Sequence, residues 1–310
     1  MKYAVLEQPG QISIKKMVLP PLLDGQLRVK VEMAGVCSAT ELHYYRGEFD
    51  DPFPLDSFNS YFGHEGCGTV LEAGPNVSGF CQGDRITYLG PCFCEQANID
   101  SARAVKIPDK LAFEQAIGEP LAVATNALEH CGQLLGQEVL LTGAGPVGLL
   151  VLQGLKAAGA KATVIELNHK RAELAKELGA DEVFTDTESV IEVLADRFPL
   201  AIEASGASAA LAFCSQSLTA NGSLIINSFF PKPVNVDMVP WHCKQITVIN
   251  SHAPTDTELR RLIAKGLQFA QQGIFDFSKV ITHRFKLPQL EDAFKLLERR
   301  EFSAKIIVGP

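Results

Sequence analysis

The 310-residue chain carries no run of like charges long enough to form a tail, and no basic stripe. With a net charge of −8 it is poorly matched to a phosphate backbone, so no nucleic-acid partner is expected. No stretch reaches the ~20 apolar residues that a membrane helix needs. The longest apolar patches, such as residues 139–141 and 147–152, are bounded or broken by glycines. The segment MKYAVLEQPGQISIKK has no apolar core of export-signal length and carries Glu7, Pro9 and Gly10 early. Internal repeats and low-complexity linkers are absent, and tryptophan occurs once, at Trp241.

Cysteine, by contrast, occurs eight times, at Cys37, Cys67, Cys81, Cys92, Cys94, Cys131, Cys214 and Cys243. A chain of this length, 46% hydrophobic, has enough core to fold without disulfide staples. Without an export signal the thiols are expected to be free, in the reducing cytoplasm, and mostly buried as small hydrophobes.

The chain changes character twice. Residues 1–117 read as short strands with frequent turns: KYAVLEQPG, ISIKKMVLPP and QLRVKVEMAGV alternate apolar and polar residues between Pro-Gly, Pro-Pro and Asp-Gly. This predicts an antiparallel, barrel-like domain. From residue 118 strands and helices alternate, and the strands EVLLT, ATVIEL, LAIEAS and GSLIIN are apolar throughout, as in a parallel sheet covered on both faces. This predicts an α/β domain over 118–273, including the helix TDTELRRLIAKGLQFAQQG. Residues 274–310 read as strand, helix and strand, and are expected to rejoin the first domain.

LLTGAGPVGLL holds G-x-G-x-x-G at Gly143, Gly145 and Gly148, after a predicted strand and at the start of a predicted helix. The first glycine suits the tight turn, the second lets backbone approach a pyrophosphate, and the third packs helix on strand. Glu166 ends the next strand, where a carboxylate takes adenosine ribose hydroxyls and favours NAD over NADP. Pro146, Val147 and Arg171 complete the candidate cofactor site, and His169 and Lys170 lie beside Arg171.

YFGHEGCGTV sets His64 and Glu65 among Gly63, Gly66 and Gly68. Cys37 lies upstream in GVCSATELHYYRG, and Glu119 downstream in AIGEPLAVATNALE, before a helix begun by Pro120. Cysteine, histidine and carboxylate are the ligand types of a catalytic zinc. Singly, each has a plainer reading: a core thiol, a turn histidine, an acid at a helix start. Together, beside a dinucleotide loop, they make one ligand set.

The motifs GVC…TELH, GHEGCGTV, the GDR at 83–85, EPLAVATNAL, TGAGPVGLL, VIELNHKRAELAKELGAD and EASG, spread over essentially the whole chain, resemble the zinc-dependent medium-chain alcohol and polyol dehydrogenases. The resemblance implies a barrel-like, GroES-like β-rich catalytic domain and a doubly wound Rossmann domain, with the active site in the cleft between them. It implies Cys37 and His64 as zinc ligands, Glu65 as a ligand or the holder of zinc-bound water, and Glu119 as the fourth position. A glutamate there is more like the sorbitol, threonine and sugar dehydrogenases, so the expected substrate is a secondary alcohol, polyol, sugar or similar small hydroxylated metabolite. The family also implies a homodimer or homotetramer, with QITVINSH as a strand that could pair between copies.

Two departures stand out. Thr40, Glu41 and His43 each lie one residue further from Cys37 than the family pattern places their counterparts. A one-residue insertion leaves Thr40 as the hydroxyl relaying the substrate proton, with His43 beyond it and Glu41 orienting a metal-bound histidine. The competing reading puts Ala39 at the relay position. Second, the four-cysteine lobe that often binds a structural zinc is missing: GDRITYLGPCFCEQANIDSARAVKIPD retains only Cys92 and Cys94. One zinc per chain is therefore expected. Tyr45, Phe49, Tyr61 and Phe93 are candidates for the pocket wall, each singly better read as core. The rival functions are a zinc-free quinone- or enoyl-type reductase, a non-catalytic dinucleotide-binding protein, and a biosynthetic dehydrogenase for one large hydroxylated intermediate.

Overall fold

The computed structural model describes residues 1–50, 52–56, 58, 62–299 and 302–310. The chain forms two compact units, Met1–Ala122 with Pro254–Pro310, and Val123–Ala253. Among the described residues no helix is long and apolar enough to cross a membrane.

The first unit is organised around the strand Gln26–Val36. Its alternation buries Leu27, Val29 and Val31 while Lys30 faces outward, and its last residues, Ala34, Gly35 and Val36, are all buried. It pairs antiparallel with Glu65–Ala73, with Lys305–Gly309 and with Gln96–Asp100. Arg85–Tyr88 and Ala104–Lys106 extend the sheet on one side and Ile281–Lys286 on the other. Gln11–Lys16, Lys2–Gln8 and Leu55–Asp56 make a second, three-stranded sheet. The antiparallel expectation fails at one place: Ile281–Lys286 and Lys305–Gly309 are parallel. The helix Leu290–Glu298 lies between them in the chain and supplies the crossover that parallel neighbours require.

An aromatic cluster fills this unit. Tyr45 stacks on Phe294 at 4.9 Å, and Phe62 stands edge-on to Phe93 at 5.4 Å. Such pairs add about 0.5–1.5 kcal/mol each beyond area burial. Tyr45 and Phe93 are thus core rather than pocket wall. Phe49 is partly buried against Tyr44 and His43, and Tyr61 lies outside the described residues. Cys92, Phe93 and Cys94 occupy a short buried connection, not a regular strand, tied to the first strand by Ala4 N–H donating to Phe93 O at 2.8 Å.

In the second unit six parallel strands run in the order Glu182–Phe184, Lys161–Ile165, Glu138–Thr142, Phe198–Glu203, Leu218–Ile226, Thr247–Asn250. Chain order reverses beside Glu138–Thr142, and the carboxyl ends of strands at such a reversal are where doubly wound sheets take ligands. Trp241 sits in the helix Met238–Cys243 and donates from Nε1 to Ser215 Oγ at 2.7 Å, pinning that helix to Ser208–Ser217.

The helix Asp256–Gln271 differs from expectation. It groups with the first unit, so the chain returns at Pro254 rather than at 274. The reason is packing: a Cβ on its Gly266 would lie 2.9 Å from Leu121 Cβ, and one on Gly118 would lie 2.8 Å from Ile263 Cγ2. Arg103 Nε also meets Asp256 Oδ2 at 3.0 Å. The other boundary lies inside the helix Gly118–Glu129 instead of ahead of it.

Candidate metal centre and dinucleotide loop

Strand register assembles the first site. Gly35 pairs with Glu65 and Val36 with Ile306, which brings Cys37, Glu65 and Lys305 to the same end of three neighbouring strands. The Cys37 thiol, a His64 ring nitrogen and a Glu65 carboxylate oxygen all lie within 4.8 Å of one another. Gly63, at φ +81, turns the chain into the site, and its missing side chain leaves room for the Phe93 ring, 2.7 Å from where a Cβ would be. Gly35 has no side chain because Glu65 Oε2 occupies that space: a Cβ would lie 2.0 Å from it.

Glu41, fully buried on the helix Thr40–Tyr45, braces the site. Its Oε1 accepts from the backbone N–H groups of Gly63 and His64 at 3.0 and 3.1 Å and lies 3.0 Å from His64 Nδ1. Its Oε2 accepts from Cys37 N–H at 2.6 Å. One carboxylate therefore fixes both arms of the ligand set, and the His64 ring, held at Nδ1 by Glu41, also meets the Cys37 side chain. Burial alone would depress the His64 imidazole, but Glu41 and Cys37 outweigh it and hold the ring well above the usual histidine range. Surroundings that hold a proton this firmly are those that attract a cation.

Lys305, which sequence reasoning passed over, is also part of the site. Its ammonium is 2% exposed and pairs with Glu65 Oε2, itself 2% exposed. Burial works to depress this lysine, but Glu65, with Cys37 and Glu119 nearby, raises it above the ordinary value. Lys305 is the one charged residue in FSAKIIV, and only strand register sets it beside Glu65. Glu119 lies in the first turn of Gly118–Glu129, and its neighbours include Glu65, His64 and Lys305. It keeps some exposure, yet enclosure by protein and then the Glu65 carboxylate push its carboxyl up to about 7. It falls outside the tight Cys37, His64, Glu65 group. Thr40 and His43 are three residues apart on one helix and keep partial exposure, whereas Glu41, Leu42, Tyr44 and Tyr45 are buried.

The second unit carries the glycine loop between Glu138–Thr142 and the helix Pro146–Ala157. Gly143 takes φ +91, a conformation that favours glycine, with Ser205 backbone 2.8 Å from a would-be Cβ. A Cβ on Gly148 would meet Gly143 O at 2.0 Å. Gly145, by contrast, faces open space, with nothing within 4 Å of its would-be Cβ. The turn, the open approach and the close packing thus fall on three different glycines. Pro146 takes the first helical position, where its missing N–H costs nothing, and Val147 follows it. Glu166 is buried with both oxygens engaged: Oε2 accepts from Ala144 N–H at 2.9 Å, Oε1 from Asn168 N–H at 2.7 Å and from Arg171 Nη2 at 2.8 Å. It ties the glycine loop to the helix His169–Glu177.

Known proteins are similar to the chain over both portions. The model of the alcohol dehydrogenase GroES-like domain matches residues 23–138, and that of the zinc-binding dehydrogenases residues 146–268. The chain is 29% identical to the (R,R)-butanediol dehydrogenase of Bacillus subtilis, with the whole of both chains aligned. It is 26% identical to the sorbitol dehydrogenase of Bombyx mori, over 94% of each. The crystal structure of the B. subtilis 2R,3R-butanediol dehydrogenase superposes with a TM-score of 0.86 at 27% identity, over 100% of this chain and 99% of that one. An alcohol dehydrogenase of Escherichia coli CFT073, complexed with NADH, superposes equally well at 26% identity, with the same coverage. Matched in both its GroES-like and its dinucleotide-binding portions, the chain belongs to the zinc-dependent medium-chain alcohol and polyol dehydrogenases, a family of NAD(P)-linked oxidoreductases.

Proposed function

We propose that Cys37, His64 and Glu65 hold one zinc ion, with Glu119 as the fourth ligand, and that the protein oxidises a secondary alcohol flanked by a second polar group, using NAD. The observation that carries this is the convergence of thiol, imidazole and carboxylate within 4.8 Å, with Glu41 Oε1 3.0 Å from His64 Nδ1. The donor types fit zinc. Glu65 Oε2 fits as well, being buried against Lys305 without a hydrogen-bond partner of ordinary geometry. The dinucleotide fits the open space before Gly145. Zinc held there would supply Lewis-acid polarisation of the substrate oxygen, and the nicotinamide would accept the hydride.

The chain's own residues do the rest. Glu41 fixes the His64 tautomer, and Lys305 limits the charge of an acidic pocket. Thr40 takes the substrate hydroxyl proton and His43, on the same helix face, carries it on. Thr40, three residues before His43, carries the hydroxyl that Ala39 lacks, which supports Thr40 as the relay. Glu166 supports NAD over NADP: a carboxylate after this strand disfavours a second phosphate, and it engages Arg171, the nearby cation that could pair with one. Butanediol, sorbitol and threonine, named in the relatives, all bear a secondary hydroxyl beside another polar substituent, which motivates the substrate class. A metal-free reductase would leave the Cys37, His64, Glu65 set and its Glu41 brace without a role.

The buried thiols of Cys92 and Cys94 sit in core, which supports a single zinc. The eight free thiols support a cytoplasmic protein. A homodimer would use the edge strand Thr247–Asn250 and the exposed Met238 and Val239 of the neighbouring helix. Zinc-loaded protein should reduce NAD, and NADP poorly, with a panel of vicinal diols, polyols and amino alcohols. Silence across the panel, with NADH still bound, would remove the substrate assignment.

A further inference from the structure

Two groups contact the His43 ring, and a backbone bond fixes the segment that carries both. Its Nδ1 contacts Glu48 Oε2, the Glu48 backbone N–H donates to His43 O at 3.0 Å, and the Phe49 ring stands edge-on with centroids 6.0 Å apart. Gly47, at φ +67, makes the turn that folds Glu48 back onto the helix end. With Nδ1 engaged, Nε2 is the ring atom left to exchange a proton. We propose that Glu48 is a positioning residue for proton transfer: it fixes the His43 tautomer and pairs with the imidazolium as it forms.

This rests on the reading of Thr40 and His43 as the proton path. In the step concerned the substrate O–H bond breaks and its proton goes to the Thr40 hydroxyl oxygen. Thr40 gives up its own proton, directly or through an intervening hydroxyl or water, to His43 Nε2, where an N–H bond forms. The new positive charge faces the Glu48 carboxylate, so the pair becomes neutral overall, and Nε2 then releases the proton to solvent. No electrons move in this step. Other charged groups around the ring are already committed. Glu41, on the same helix, is turned to Cys37, Gly63 and His64. Arg46, at the helix end, lies 3.9 Å from Glu298 of the helix Leu290–Glu298 packed beside it. Among the described residues, Glu48 is thus the carboxylate in contact with the His43 ring.

A partly exposed His–Glu contact can also be a surface pair of little consequence, and the test separates the two. The pH profile of kcat for NAD-linked diol oxidation would be measured on zinc-loaded wild type, Glu48→Gln, Glu48→Asp, His43→Gln and the Glu48→Gln/His43→Gln double variant. NADH binding and zinc content would be followed alongside as checks on folding. Glu48→Gln should lower kcat roughly tenfold or more, with KM little changed. The acid limb of its profile should move to lower pH, Glu48→Asp should restore part of the rate, and the double variant should be no worse than His43→Gln. A wild-type profile in Glu48→Gln beside a slowed His43→Gln would overturn the role of Glu48. So would a loss in Glu48→Gln that leaves the profile in place and recurs in full on the His43→Gln background. A wild-type rate in His43→Gln would instead remove the proton-path reading itself.

Discussion

Lys305 and Glu65 form an ion pair in which each side chain is 2% exposed, at the point where the last strand meets the candidate zinc ligands. Removing one member of a buried pair leaves the other as an uncompensated charge, at a typical cost of about 3–5 kcal/mol. Lys305→Met should therefore lower the urea midpoint of the metal-free protein strongly. Lys305→Met with Glu65→Leu should recover much of the loss, since a buried pair can often be replaced by apolar residues at little cost. Equal midpoints for the single variant and wild type would show that the pair contributes nothing.

Glu41→Gln should weaken zinc binding without touching a ligand. The amide has one acceptor oxygen where the carboxylate offers two to Cys37, Gly63 and His64. Loss of such an orienting partner typically costs about 10–100-fold in metal affinity. Chelator competition measures it directly, and unchanged affinity would mean that His64 needs no brace.

Zinc affinity should rise with pH. Glu119 titrates at about 7 without metal, and His64 is held protonated well above the usual range. Both must lose their protons to act as ligands, so binding releases protons and tightens as pH rises through neutrality. Each released proton corresponds to about a tenfold change per pH unit. Calorimetry in buffers of different ionisation enthalpy counts the protons; none released near pH 6.5 would contradict this electrostatic picture.

Gly145→Ala and Gly148→Ala should part company. The first adds a methyl to open space at an ordinary φ of −70, so stability should stay within about 0.5 kcal/mol while NADH binding weakens at least about tenfold. The second drives a Cβ to 2.0 Å from Gly143 O and should destabilise the whole second unit. Thermal midpoints and NADH fluorescence titrations read both.

Much of this was legible because chemistry and period agree in particular segments. The glycine loop, the apolar strands around it and Glu166 all fell in order, and Cys37, His64 and Glu65 announced themselves by donor type. Glu41 was legible as the acceptor orienting a metal-bound histidine only through the family resemblance, with a one-residue insertion after Cys37. Lys305 was not: a lysine leading an apolar strand looks like an edge cation until strand register brings it beside Glu65. Nor was the place of Asp256–Gln271, because an amphipathic pattern shows that a face is buried, not which unit buries it. The contacts of Gly118 and Gly266 decide that, and they join segments far apart in sequence. Tyr45 and Phe93, each better read singly as core, are core.

The most direct test of the account is zinc content by mass spectrometry on protein purified without chelators, for wild type and Cys37→Ser. About one zinc per chain in wild type and little or none in the variant is the predicted result. A wild-type protein that binds NADH but holds no zinc, or a Cys37→Ser variant that keeps its zinc, would contradict the assignment of Cys37, His64 and Glu65 as a metal centre.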